Sequence, residues 1–171
     1  MVEILKNMKY LLIILIPFFA ISCKSLECCK NSKKVNKLVL EYIEAPVSPK
    51  TTRNIKFTID EQNIGVLVTS FGETITDTTI KIEKKDYLDI LETYDSIGFS
   101  SVPNVKNTGC MGGYTCLLKT MNKSEKIIFD GLIHFCGGHT FGNMTGDVMV
   151  LKNKIISKIS DFEKMLKKTN N

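Results

Sequence analysis

With 171 residues, 43% of them hydrophobic and 24% charged, the chain has room for one globular domain and an appendage. That composition excludes a multidomain enzyme, a collagen-like repeat and a fully disordered chain. The formal net charge is +5, from 23 Lys and Arg against 18 Asp and Glu, and Arg53 is the one arginine. Planar, bidentate clamping of phosphates or guanines uses the guanidinium fork, which lysine lacks, and with no Trp the stacking platforms for single strands are scarce. Nucleic acid is therefore not an expected partner, and the excess charge reads as a solubility feature.

The first 22 residues read as a signal peptide. Lys6 and Lys9 form a cationic start, and Tyr10 to Ile21 is an uninterrupted apolar run of twelve residues. A bilayer core needs about 20 helical residues, so the run is too short for a comfortable permanent span. Small residues then precede a cysteine in Ala20-Ile21-Ser22-Cys23. This stretch resembles the lipobox of bacterial lipoproteins, although Ala20 stands where Leu is commonest. The resemblance implies that Cys23 becomes an acylated N-terminus. It also implies that the lipid bilayer is a partner and that the protein sits in the bacterial cell envelope, facing either the periplasm or the outside. Two or more acyl chains, at ~0.8 kcal/mol per buried methylene, hold a protein on a membrane almost permanently.

Residues 23–36 continue as a polar tether, and a single α+β domain is expected over residues 37–171. At roughly 130 residues it is large enough to close a core without staples. Leu38, Leu40 and Tyr42, then Ile55, Phe57 and Ile59, then Ile64, Val66 and Val68 each alternate with polar or half-polar residues, and Thr74 to Ile82 follows a Phe71-Gly72-Glu73 turn. Period two with one apolar face predicts a four-strand meander. Tyr87, Leu88, Leu91, Tyr94 and Ile97 recur at helical spacing over residues 84–97, and Gly98 supplies a left-handed stop. Asp86, Asp89 and Glu92 on that helix read as a solvated face. A loop with Pro103, Gly109, Gly112 and Gly113 leads to a hairpin of residues 114–121 and 126–132. Val148, Leu151, Ile155, Ile159, Phe162 and Leu166 then predict a second amphipathic helix starting near Asp147. The expected architecture is a mainly antiparallel sheet, meander plus hairpin, packed against two helices.

Beyond Cys23 the chain holds Cys28, Cys29, Cys110, Cys116 and Cys136, an odd number for a compartment where disulfides persist. Cys110 and Cys136 flank the hairpin on either side and form the preferred bridge. Cys116 falls inside a strand and reads as a small buried hydrophobe, and the adjacent Cys28-Cys29 pair is too constrained to close on itself.

The stretch from His134 to Asp147 gathers both histidines of the chain with Cys136, Met144 and several glycines. Imidazole and sulfur suit zinc or copper, but no ligand pair at zinc-finger or zincin spacing accompanies them, so the metal assignment stays open. Gly137, Gly138 and Asn143, with His134 and His139, form the candidate binding residues. Exposed amides of a Gly-rich turn entering a helix could cradle an anion, yet the spacing matches neither a phosphate loop nor a dinucleotide fingerprint. Capping and tight packing explain the glycines more simply. Cys136, a histidine and Asp130 or Asp147 supply the residue types of a nucleophilic triad without any evidence of convergence. No catalytic residue and no cofactor is assigned.

The leading expectation is a membrane-anchored, non-catalytic binding module for an unknown protein or small molecule. The alternative is a metal-binding or Cys/His-dependent enzyme centred on residues 134–147. The leader, the lipobox and the Lys/Asn/Ile-rich composition resemble small uncharacterised lipoproteins of Bacteroidota-type bacteria. So does Cys136-Gly137-Gly138-His139-Thr140-Phe141-Gly142-Asn143 ahead of an acidic helix start. That resemblance implies a location and no activity.

Overall fold

The computed structural model describes residues 35–46 and 52–167, all within the compact unit spanning residues 31–171. The leader, Cys23, Cys28, Cys29 and all of the tether except Val35 and Asn36 lie outside the described residues. Val35 is itself buried, and its carbonyl accepts a hydrogen bond from the Tyr87 hydroxyl, so the folded body takes in the last tether residues.

Among the described residues eight strands form one sheet: β1 (Lys37–Glu44), β2 (Asn54–Ile59), β3 (Asn63–Ser70), β4 (Glu73–Lys81), β5 (Ser100–Val105), β6 (Tyr114–Met121), β7 (Ile127–Cys136) and β8 (His139–Thr145). Their spatial order is β4-β3-β2-β1-β6-β7-β8-β5, and every neighbouring pair is antiparallel. The meander occupies one half of the sheet, in the order that short turns dictate. The second half is larger than a hairpin: β7 runs on to Cys136, the Gly-rich stretch becomes β8, and the segment after the first helix pairs with β8 as an irregular edge strand.

Alternation divides this sheet into two faces. Leu38, Leu40, Phe57, Ile59, Ile64, Val68 and Leu118 are fully sealed on one of them. The helices cover that face: α1 (Lys84–Ile97), α2 (Val148–Ile156) and the short α3 (Phe162–Met165). Helix α1 has the expected bounds, and Gly98 ends it with φ 67° and a hydrogen bond from its N–H to the Asp95 carbonyl. Its buried stripe is Tyr87, Ile90, Leu91 and Tyr94, whereas Leu88 is exposed.

The C-terminal stripe is present, with Val148, Leu151, Ile155, Ile159 and Phe162 all buried, but the helix beneath it is broken. Ser157 caps α2, tight i to i−3 turns follow at Lys158 and Ile159, and Asp161 adopts a positive φ of 59° before α3. Ser and Asp compete with helical backbone bonding, which accounts for the break in a stripe that is otherwise continuous.

Of the acidic residues of α1, Glu92 is exposed as expected, whereas Asp86 and Asp89 are half-buried and paired. Lys158 Nζ lies 3.0 Å from Asp86 and bonds Asp89 at 2.6 Å, and Lys154 Nζ reaches Asp89 at 3.0 Å. These half-buried pairs tie α1 to the end of α2. The Lys158 and Lys154 hydrogen bonds hold the Asp89 carboxyl below its ordinary value, and Asp89 with Asp86 pushes the Lys158 amine up.

Candidate functional site

The hairpin of β7 and β8 turns on Gly137-Gly138, whose φ values of 58° and 80° suit the positive-φ turn that a two-residue hairpin demands. Both glycines are exposed and serve this turn. Registry then sorts the stretch by face. Ile133, Phe135, Thr140 and Met144 look toward the helices, while Leu132, His134 and Phe141 look away from them.

On the helix side, the hairpin and the start of α2 enclose an open cleft of about 420 Å³. Tyr114, Ile133, Phe135, Thr140, Met144 and Met149 supply its walls, and Thr145, Gly146 and Asp147 its rim. Tyr114 sits opposite Phe135 in the register and stacks on it at 4.8 Å, with Tyr42 a further 5.2 Å from Tyr114. Asp147 is the one charged residue lining the cleft, and it is fixed there by helix capping. Its Oδ1 accepts the N–H groups of Met149 at 3.0 Å and Val150 at 3.2 Å, two of the donors a helix start leaves open.

The electrostatics of the neighbourhood follow from burial. Desolvation lifts the Tyr114 phenol above its ordinary value, with Cys116 and Asp147 adding to the shift. Burial and then Glu44 push Tyr42 up to about 12. Lys152 places its amine 3.5 Å from the centre of the Tyr42 ring, and burial pushes that amine down. Cys116 is buried on the same face, and its thiol is raised to about 12 by desolvation, so the thiolate that a nucleophile needs is suppressed.

The histidines and Cys136 are placed differently. Cys136 is bonded to Cys110, which fastens the loop before β6 to the tip of the β7–β8 hairpin. The His134 ring shares a 2.8 Å hydrogen bond between Nδ1 and the Thr115 hydroxyl, lies 6.1 Å from Phe141, and keeps Nε2 buried with no hydrogen-bond partner among the described residues. His139 is exposed at the turn, with Phe141 6.5 Å from its ring. Asn143 Oδ1 accepts the Leu132 N–H at 2.7 Å, replacing a ladder bond where Gly142, at φ 116°, bends β8 against the Leu132 carbonyl.

The structure thus brings Cys136 and His139 together as a backbone pair, but the disulfide leaves neither histidine a thiolate neighbour. Among the described residues, no group of three His, Cys, Asp or Glu stands close enough to hold a metal ion. The residues the sequence reading missed are Tyr114, Phe135, Thr140 and Met149. Period two along residues 133–145 could have separated the two faces, had residues 139–145 been read as a strand. No family model, no curated protein and no solved structure matches the chain.

Proposed function

We propose that the chain is a lipid-anchored protein of the bacterial cell envelope whose α+β domain is a non-catalytic binding module. Its ligand site is the cleft between the β7–β8 hairpin and α2. The lipobox-like Ala20-Ile21-Ser22-Cys23 supports the anchor, and it lies outside the described residues. The carrying observation for binding is the cleft itself, an open space of about 420 Å³ walled by a stacked Tyr114–Phe135 pair, two methionines and Ile133. That volume falls within the ~300–1,000 Å³ of small-molecule sites, and apolar walls with a few fixed polar groups are their usual lining. Methionine walls adapt to a flat ligand and make sulfur–ring contacts. The class of ligand that fits is a small aromatic molecule stacking on Tyr114 and Phe135, with a donor group toward the Asp147 carboxylate.

Binding is favoured over catalysis because the sulfur of Cys136 is held in a disulfide and the thiol of Cys116 is buried and protonated. Two measurements test the reading. Mass spectrometry of the protein extracted from bacterial membranes should find residue 23 as an acylated N-terminus. A bare Cys23, or an intact leader, would contradict the anchor. Calorimetric titration of residues 31–171 with indole should give saturable binding that Thr140→Trp abolishes by filling the cleft. Equal binding by that variant would remove the cleft from the proposal.

A further inference from the structure

Among the described residues no helix packs on the opposite face of the sheet, and the centre of that face is hollow. A concavity of about 320 Å³ opens over three adjacent strands, β2, β1 and β6, lined by Lys37, Val39, Glu41, Lys56, Thr58, Leu117, Lys119 and Met121. The register places these side chains beside one another: Lys37 faces Met121, Val39 lies between Thr58 and Lys119, and Glu41 lies between Lys56 and Leu117. Val39, Leu117 and Met121 are only half-buried there, although sheet neighbours surround them. Three ammonium groups therefore ring an apolar floor that contains one carboxylate. Lys119 is paired with Asp130 at 3.3 Å, while Lys37 and Lys56 form no ion pair among the described residues.

We propose that this hollow is a second ligand site, distinct from the aromatic cleft, and that its occupant is a monomeric fatty carboxylate. The alkyl chain lies on Val39, Leu117 and Met121, and the head group meets Lys37 and Lys56. Charge decides the head group: Lys37 and Lys56, which form no ion pair among the described residues although Glu41 stands opposite Lys56, favour an anion, and the Thr58 hydroxyl beside them can donate to it. Shape decides the rest. A hollow surrounded by strands accepts one chain, whereas a bilayer surface is met by apolar groups that protrude. Glu41 is the built-in opponent of this ligand, since its carboxylate stands on the same floor, and it offers a control that a merely structural patch would not have.

The test uses residues 31–171, the compact unit that carries every core residue among those described. Calorimetric titration with sub-micellar decanoate should give saturable one-to-one binding, with decanol much weaker and decyltrimethylammonium not bound. Lys37→Gln and Lys56→Gln should each lower decanoate affinity about twofold to fivefold, the range of exposed charge pairs. Glu41→Gln should raise it by a similar factor, and Leu117→Asn should lower it about tenfold by removing apolar contact. Urea midpoints of the three charge variants confirm that the fold is unchanged. Equal affinity for decanoate and decanol, or no response to the three charge variants, would overturn the assignment. So would co-sedimentation with phosphatidylglycerol vesicles in the absence of any decanoate binding, which would make the face a membrane contact instead.

Discussion

The two faces of one sheet are made from the same strands, yet they differ in nearly everything except backbone. Along β6, Leu118 is fully sealed against the helices while its neighbour Leu117 lines an open hollow. Along β1, Leu38 and Leu40 lie in the core and Lys37, Val39 and Glu41 do not. The covered face contributes cohesion, and the aromatic cleft opens at one end of it. The uncovered face carries charge arranged about apolar side chains. The two proposed sites thus lie where, among the described residues, helix cover ends or is absent, and strand periodicity decides which residues belong to which face.

The largest expected difference comes from truncating adjacent leucines. Leu118→Ala should cost ~2–5 kcal/mol through lost burial and a residual cavity. Leu117→Ala should cost less than about 1 kcal/mol, because the residue is already half in water. Urea unfolding of both variants measures this, and similar costs would break the contrast. Next comes the disulfide, which clamps the loop before β6 to the hairpin tip across a sequence separation of 26. Its removal by Cys110→Ser with Cys136→Ser should lower stability by about 3 kcal/mol, read as a shift in urea midpoint. Asp147→Ala should cost about 1 kcal/mol by uncapping α2. It should also weaken indole binding, since the rim of the cleft is anchored at that helix start.

The smallest effect concerns the contacts between helices rather than with the sheet. The Asp89 carboxyl is held below its ordinary value by Lys158 and Lys154, so its folded form binds a proton less readily than its unfolded form. Such a group stabilises the fold above the unfolded pKa, and the contribution fades as pH falls through the folded value. Stability should therefore decline below about pH 4, and Asp89→Asn should show a shallower decline. Parallel curves for the two proteins would show that these helix pairs carry no pH-dependent stability.

Much of this was legible in the sequence, for physical reasons that can be named. Strands β1 to β3 announce themselves because one clean apolar face alternates with polar residues, and α1 because Tyr87, Leu91 and Tyr94 repeat with a glycine stop. The Cys110–Cys136 bridge follows from a hairpin bringing its two flanks together. Strand β8 was hidden by its glycines: Gly138 belongs to a turn and Gly142 to a bend, and together they mimic a loop. The break at residues 157–161 was hidden because Ile159 and Phe162 continue the buried stripe across it. The hollow on the uncovered face was invisible for a different reason. Lys37, Lys56 and Lys119 meet only because β1 lies between β2 and β6, and the pairing of β1 with β6 joins residues about eighty positions apart. No local pattern encodes that partnership.

The most direct test of this two-faced account is a methyl-resolved NMR titration of residues 31–171, adding indole and then decanoate to the same sample. The account predicts that indole moves the Met144 and Met149 methyls, that decanoate moves those of Val39, Leu117 and Met121, and that Leu118 responds to neither. If both probes shift one common set of methyls, or if Leu118 moves with the residues of the hollow, the division of labour between the faces is contradicted.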